Sequence, residues 1–260
     1  MSFSLIFLLI LIFSSSSTST IILQGNTTLK SPNNTFQLGL FSFSPGPPFS
    51  FYLAIRHTSL SIPNTIWLAN RLHPSPTQTD SFFHLTQTGS LILTHSNTTL
   101  WTTAPTFNST NIHTSSNLSP KLLDSGNLIL TSPNALVLWQ SFDSPTDTWL
   151  PGMNLTRFNS LTSWLTETDP TPGLYSLRLK PPFYGEFELV FNDTVPYWSA
   201  GNWTDGKFLN IPEMSIPYLY SFHFVSPFSP AAAFGFSERA SEAGTQPPTM
   251  FRVEPFGQIR

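Results

Sequence analysis

Residues 126–139 read Gly-Asn-Leu-Ile-Leu-Thr-Ser-Pro-Asn-Ala-Leu-Val-Leu-Trp and repeat a pattern of residues 89–101, which read Gly-Ser-Leu-Ile-Leu-Thr-His-Ser-Asn-Thr-Thr-Leu-Trp. Each stretch predicts a turn at glycine, a short apolar strand, a polar turn and a second strand that ends in Leu-Trp. A third aliphatic–Trp pair stands earlier, at Ile66-Trp67, so successive tryptophans are 34 and 38 residues apart.

This repeat predicts a pseudo-threefold arrangement. A unit of two short strands has one apolar face that it cannot bury alone, so neighbouring units must cover one another. Three units with one tryptophan each therefore predict three small sheets around a shared axis. We expect Trp67, Trp101 and Trp139 to converge in the centre as core residues.

The composition favours an all-β protein. Charged residues are 10% of the 260, against about 25% in ordinary domains, and 66 Ser and Thr replace them as polar groups. Phe, Pro, Ser and Thr are abundant, which disfavours a helical bundle. The net charge of −3 disfavours nucleic-acid binding and a polybasic membrane patch.

The N-terminus and the sequons predict a secretory route. An eleven-residue apolar run, Phe3 to Phe13, precedes a small polar tract and is too short to span a bilayer, so residues 1–20 are interpreted as a signal peptide; the alternative is a buried strand. The rest of the chain also lacks a run of about 18 consecutive apolar residues, the length that a membrane span requires. Asn-x-Ser/Thr sequons predict N-glycosylation at Asn26, Asn33, Asn97, Asn108, Asn117, Asn154, Asn192 and Asn202.

The pattern changes after Trp139. Residues 140–155 are rich in turn residues and are interpreted as a junction. Alternating apolar residues return at 174–179 and 185–191 and predict strands. Residues 228–250 are rich in Ser, Pro, Ala and Gly, and we expect them to be poorly ordered.

Six motifs in order resemble the extracellular region of plant S-domain (G-type lectin) receptor-like kinases and S-locus glycoproteins. They lie at Thr65–Arg71, Leu123–Leu130, Leu138–Leu155, Leu161–Ser176, Pro196–Asn202 and Ile211–Met214. The resemblance implies a bulb-type, mannose-specific lectin domain at residues 21–143, folded as a β-prism of three four-stranded sheets. It implies a second, S-locus-glycoprotein-type lectin-like domain at residues 144–260. In that family a Cys-rich module, a membrane span and a kinase usually follow; this chain has no cysteine.

The sugar motif of bulb-type lectins, Gln-x-Asp-x-Asn-x-Val-x-Tyr, is degenerate here. Overlaid on the third repeat, it places Leu123 at Gln, Ser125 at Asp, Asn127 at Asn, Ile129 at Val and Thr131 at Tyr. The second repeat offers Thr86, Thr88, Ser90, Ile92 and Thr94. The ionised acceptor is lost in both, and hydrogen bonds to charged groups are the stronger ones. Ser125, Asn127 and Ile129 are the candidate carbohydrate-binding residues, with Asn127 also interpreted as a turn residue after Gly126.

The sequence offers no catalytic motif, metal site or cofactor site. Glu186 and Glu188 would share one strand face, but we interpret them as the exposed face of an edge strand. The function expected is a secreted or truncated receptor-like ectodomain that recognises an extracellular glycan or a protein or peptide ligand, with association between related ectodomains. The location expected is extracellular, or the cell surface if the gene continues into a membrane span. A working mannose- or glycan-binding lectin and a non-signalling fragment remain as alternatives.

Overall fold

A computed structural model describes residues 20–59, 65–104, 118–211, 214, 220–238 and 249–260. These residues form strands, turns and short 3-10 turns such as Ser141–Asp143, with no α-helix among them. The protein is therefore all-β, as predicted. Residues 1–19 of the predicted signal peptide lie outside the described residues.

The first region contains eleven strands in three sheets. In chain order they are β1 Thr20–Gln24, β2 Leu29–Lys30, β3 Phe36–Ser42, β4 Phe51–His57, β5 Thr65–Leu68, β6 Ser81–Leu85, β7 Leu91–His95, β8 Thr98–Thr102, β9 Ser119–Leu122, β10 Leu128–Thr131 and β11 Val137–Gln140. The sheet orders are β2-β3-β4-β5, β1-β6-β7-β8 and β11-β10-β9. Two sheets thus have the four strands predicted. The third has three among the described residues, which omit 105–117 just before β9.

The repeated stretches form the hairpins predicted from their sequence. Strands β7 and β8 pair antiparallel, as do β10 and β11. Ser96 and Asn97 have φ of 45° and 69°, and positive φ at both central residues is what a tight type I′ hairpin turn requires. In β7 the buried and half-buried side chains alternate, so Leu91 and Leu93 enter the core.

The three indoles meet on the axis between the sheets. Ring centroids are 5.8 Å apart for Trp67 and Trp101, 5.9 Å for Trp101 and Trp139, and 6.1 Å for Trp67 and Trp139, with edge-to-face geometry throughout. The near-equal distances confirm the convergence predicted from the repeat, and this first region is a bulb-lectin β-prism.

The second region contains the remaining strands. They are β12 Thr148–Trp149, β13 Asn154–Thr156, β14 Leu161–Trp164, β15 Pro172–Leu179, β16 Phe187–Phe191, β17 Val195–Ser199, β18 Trp203–Thr204, β19 Lys207–Phe208, β20 Tyr220–Val225, β21 Ala233–Glu238 and β22 Phe251–Arg252. Their orders are β14-β15-β16-β17, β13-β21-β20, β12-β22 and β18-β19. Strands β15 and β16 confirm the two strands predicted from alternation.

Trp149 is the centre of this second core. Its indole lies 5.7 Å from the Phe187 ring, 5.5 Å from Phe234, 5.1 Å from Phe236 and 5.8 Å from Phe251, centroid to centroid. Phe234 and Phe236 belong to β21 and are almost fully buried. The expectation of poor order over 228–250 is therefore wrong for residues 233–238, and residues 239–248 lie outside the described part.

One continuous cluster of buried apolar side chains runs from the prism into the second region. Gly126 illustrates how close the two regions approach: a Cβ there would lie 2.6 Å from a methyl of Ile66 and 3.0 Å from one of Leu150. The last prism strand ends at Gln140 and β12 begins at Thr148. The boundary between residues 143 and 144 stays a prediction.

Candidate functional site

The degenerate sugar motif of the third sheet begins in a turn and not in a strand. Leu123 and Asn127 close a hairpin loop: the Leu123 N–H donates to the Asn127 carbonyl at 2.9 Å, and the Gly126 N–H donates to the Leu123 carbonyl at 3.0 Å. Gly126 takes φ of +83°, which favours glycine. Of the five aligned positions, only Ile129 and Thr131 lie in β10.

Asn127 is buried and hydrogen-bonded within the protein. Its side chain is 7% exposed, and its Nδ2 donates to Gln140 Oε1 at 2.9 Å. Its Oδ1 accepts from Ser141 Oγ at 3.2 Å and from the Phe142 N–H at 3.3 Å. The amide thus ties β10 to the 3-10 turn by which the chain leaves the prism.

The other two candidate residues differ in exposure. Ser125 is exposed, and its Oγ accepts a long hydrogen bond of 3.4 Å from the Asn127 N–H. Ile129 is buried at 8% exposure. Thr131, at the position of the family's Tyr, is buried too and donates from Oγ1 to the Ser119 carbonyl at 3.3 Å. The face combines one exposed hydroxyl with groups already packed or bonded.

The equivalent face of the second sheet is closed in a similar way. The Thr86 and Thr88 hydroxyl oxygens are 2.9 Å apart, and Thr86 Oγ1 accepts from the Ser90 N–H at 3.0 Å. Both threonines precede Gly89, whose φ is +77°. Hydroxyls that are bonded to one another and to the turn backbone have fewer free positions for a sugar.

A pocket of about 480 Å³ opens at the prism axis, and sequence reasoning did not find it. Its lining includes Trp67, Trp101, Trp139, Asn70, Arg71 and Pro145. The Trp67 N–H donates to the Ser144 carbonyl at 2.9 Å. Within the described part of the chain, the indole nitrogens of Trp101 and Trp139 donate no hydrogen bond. Both nitrogens are accessible to solvent, whereas Nε1 of Trp164 is buried without a partner.

Arg71 lines this pocket and is hydrogen-bonded to the second region. Its Nε donates to the Pro170 carbonyl at 2.6 Å, and its two terminal nitrogens donate to the carbonyls of Thr162 at 3.0 Å and Ser163 at 2.6 Å. Burial lowers the pKa of Arg71, and the charges of Asp147 and Asp169 oppose that shift. Because three of its N–H groups are engaged by backbone carbonyls, the guanidinium has fewer donors left for a ligand.

The pocket could not be read from the motifs alone. The Trp spacing predicts the indole cluster, and Arg71 ends one of the quoted motifs, but the carbonyls that hold Arg71 follow some ninety residues later. Such a long-range arrangement gives no local sequence signal.

The sequons that the structure describes are all at the surface. The side chains of Asn26, Asn33, Asn97, Asn154, Asn192 and Asn202 are exposed, whereas Asn108 and Asn117 lie outside the described residues. Exposure is what glycosylation requires, so the prediction at these six positions stands as a prediction.

Glu186 and Glu188 do not lie on an exposed edge strand, and that interpretation is wrong. Strand β16 is paired on both sides, and Glu188, 5% exposed, accepts from Arg178 Nε at 2.9 Å. Burial works against ionisation of Glu186, but hydrogen bonds from Lys180 and Ser199 lower its pKa overall. Both carboxylates are thus held by partners across the sheet.

No group of three or more His, Asp or Glu in the described residues could hold a metal ion. No helix in that part of the chain has the length and hydropathy of a membrane span.

Comparisons with known proteins agree with this geometry. The profile of a family described as D-mannose binding lectin matches residues 64–166, past the end of the prism. The Arabidopsis thaliana G-type lectin S-receptor-like serine/threonine-protein kinase SD2-2 is 42% identical over 258 residues, 98% of this chain and 31% of that protein. The Arabidopsis thaliana G-type lectin S-receptor-like serine/threonine-protein kinase B120 is 34% identical over 76% of this chain, and the receptor-like serine/threonine-protein kinase SD1-8 is 33% identical over 79%; 24% of each of these proteins is covered. The chain thus spans a quarter to a third of the length of these relatives.

Proposed function

This chain resembles the extracellular region of plant G-type lectin S-receptor-like kinases and contains a bulb-type lectin domain, and from that premise we propose that it is an extracellular recognition module whose sugar motif has lost mannose binding. The relatives are named as serine/threonine-protein kinases, and this chain aligns with a third of such a protein or less. We propose for it a binding role and no catalytic one, in the secretory pathway and outside the cell.

The observation that carries this proposal is the engagement of Asn127. It is the one polar residue of the third repeat that matches the family motif, and both polar atoms of its amide are used inside the protein. A sugar hydroxyl could replace those bonds only if Gln140 and Ser141 gave them up. Leaving the buried Ser141 hydroxyl unpaired costs about 1–3 kcal/mol, and the half-buried Gln140 adds less, which offsets a weak sugar contact.

The neighbouring positions cannot compensate for Asn127. The family's carboxylate position is Ser125, and its Tyr position is the buried Thr131. A serine hydroxyl reaches less far than a carboxylate and carries no charge, so the stronger hydrogen bonds are missing. The remaining surface suits an extracellular protein or peptide ligand, or a related ectodomain, better than mannose.

Calorimetric titration tests the proposal. Methyl-mannoside and mannotriose are titrated into the secreted full chain and into Ser125→Ala, which removes the exposed hydroxyl. We expect no saturable heat with a Kd below about 1 mM for the wild type or Ser125→Ala. Saturable binding by the wild type that Ser125→Ala weakens would contradict it.

A working glycan-binding lectin is the second candidate, and the pocket at the prism axis favours it. Two indole N–H groups that have no partner within the described residues suit a ligand with acceptor oxygens, as a glycan has. Trp101→Phe keeps a ring and removes the N–H, whereas Trp198→Phe makes the same change outside the pocket lining. Glycan binding that Trp101→Phe weakens and Trp198→Phe leaves unchanged would support the second candidate over the first.

A further inference from the structure

An apolar row on the second region continues past the edge of the core. Tyr175, Phe191 and Val195 are successive cross-strand partners in β15, β16 and β17, so their side chains share one face of the sheet. Further along that face Leu177 and Leu189 are buried, but Phe191 is 38% and Val195 54% exposed. A flat aromatic side chain is thus left at the surface.

The row is rigid. The Tyr175 and Phe191 ring centroids are 5.3 Å apart, and the Tyr175 and Tyr197 centroids are 5.9 Å apart. The Tyr197 hydroxyl donates to the Gly257 carbonyl at 2.7 Å. Phe191 is therefore braced by Tyr175, which is braced in turn by Tyr197, and it offers a preformed surface to a ligand.

A sequon begins at the residue after Phe191. Asn192, Asp193 and Thr194 follow directly, and Asn192 and Asp193 have φ of 49° and 56°, as the two central residues of a type I′ turn do. The turn is closed by the Thr194 N–H, which donates to the Phe191 carbonyl at 3.3 Å. The Asn192 N–H also donates to the Leu174 carbonyl at 2.7 Å, so the turn is tied to the neighbouring strand.

We infer that the N-glycan on Asn192 packs its first N-acetylglucosamine on the Phe191 ring, covers the apolar row and stabilises the β16–β17 hairpin. One face of that sugar presents C–H groups, which carry slight positive charge, to the negative face of an aromatic ring. The glycan and the ring stand on adjacent residues of one tight turn, so little entropy is lost when they meet.

The described sequons offer a matched control at Asn97. Asn97 also lies in a turn with two positive φ values, but Ser96 precedes it. Among the six described sequons, Asn192 is the one with an aromatic residue directly before it. A glycan on Asn97 should therefore be an ordinary solvated glycan.

The test uses the full chain secreted from a glycosylating host, with site occupancy measured by glycopeptide mass spectrometry. We expect Asn192→Asp, which removes the glycan and still tolerates the positive φ, to lower Tm by about 2–4 °C, and Asn97→Asp by less than about 1 °C. Trimming all glycans to a single N-acetylglucosamine should leave Tm unchanged, because the first sugar makes the contact. In a Phe191→Leu background, which keeps apolar bulk without the ring, Asn192→Asp should cost less than about 1 °C.

The outcomes separate this inference from the proposed function on which it rests, since glycosylation needs the secretory route. Occupancy at neither Asn97 nor Asn192 would contradict that route. Occupancy at Asn97 alone, or equal Tm losses for Asn192→Asp in the wild-type and Phe191→Leu backgrounds, would overturn the inference and leave the route intact.

Discussion

Replacing Arg71 should weaken the packing of the prism against the second region. Arg71 is 9% exposed, and its guanidinium donates to the carbonyls of Thr162, Ser163 and Pro170. A hydrogen bond from a charged donor contributes about 1.5–3 kcal/mol, and such terms within one group are not additive. Arg71→Met leaves these three carbonyls without their donor, at about 1–3 kcal/mol for each buried one, so we expect a loss of about 3–5 kcal/mol in the free energy of unfolding.

Urea unfolding of the secreted full chain, followed by Trp fluorescence, measures this loss. Arg71→Lys keeps the charge, but one ammonium cannot reach three carbonyls as the planar fork does, so we expect a loss of about 2–3 kcal/mol. Arg157→Met is the matched control, because Arg157 is exposed and lies 4.3 Å above the Phe158 ring; it should cost less than about 1 kcal/mol. A loss for Arg71→Met no larger than that of the control would refute the reasoning.

Three further predictions concern the core and the motif. Trp101→Ala should lower the free energy of unfolding by about 3–5 kcal/mol in chemical denaturation, and a loss below about 1 kcal/mol would contradict the axial role of the indole. Asn127→Ala should cost about 1–3 kcal/mol, because it leaves the Gln140 and Ser141 groups unpaired, and Ser125→Ala less than about 0.5 kcal/mol; equal losses would count against the structural role of Asn127. Burial lowers the pKa of His57 below 6.5, and its Nδ1 accepts from the Ser59 N–H at 3.2 Å. The contribution of the neutral imidazole to the free energy of unfolding should therefore be fully present above pH 6.5 and be lost as the pH falls through the folded-state pKa. Thermal melts at about pH 7.5 and about pH 5 should show a smaller difference for His57→Gln, and an unchanged difference would contradict this assignment.

Those parts of the fold whose contacting residues recur at regular spacing could be predicted from the local sequence pattern. The aliphatic–Trp pairs are spaced regularly, so the convergence of Trp67, Trp101 and Trp139 could be predicted from the sequence alone. The hairpin turn at Ser96 and Asn97 likewise follows from polar residues between two apolar strands. In both cases each unit of the repeat carries its own signal.

The predictions that are wrong or incomplete share a different cause, because each concerns residues whose contacts lie elsewhere in the sequence. Strand β21 was missed because Ala, Gly and Pro around it obscure the alternation of Phe234 and Phe236, whose partner Trp149 belongs to another part of the chain. Glu188 was expected at the surface, but Arg178 on the neighbouring strand allows its burial. Motif alignment identified Asn127, whereas its role depends on residues 140–142, which lie outside the motif.

The most direct test of the central claim is to observe the Asn127 side-chain amide while mannose is added. In two-dimensional NMR of the ¹⁵N-labelled full chain, the Asn127 Nδ2 signal is assigned by comparison with Asn127→Asp. We predict no saturating shift of that signal with methyl-mannoside or mannotriose, because the amide stays bonded to Gln140, Ser141 and Phe142. A saturating shift of the Asn127 amide, with a Kd below about 1 mM, would contradict the account and make the motif a working sugar site.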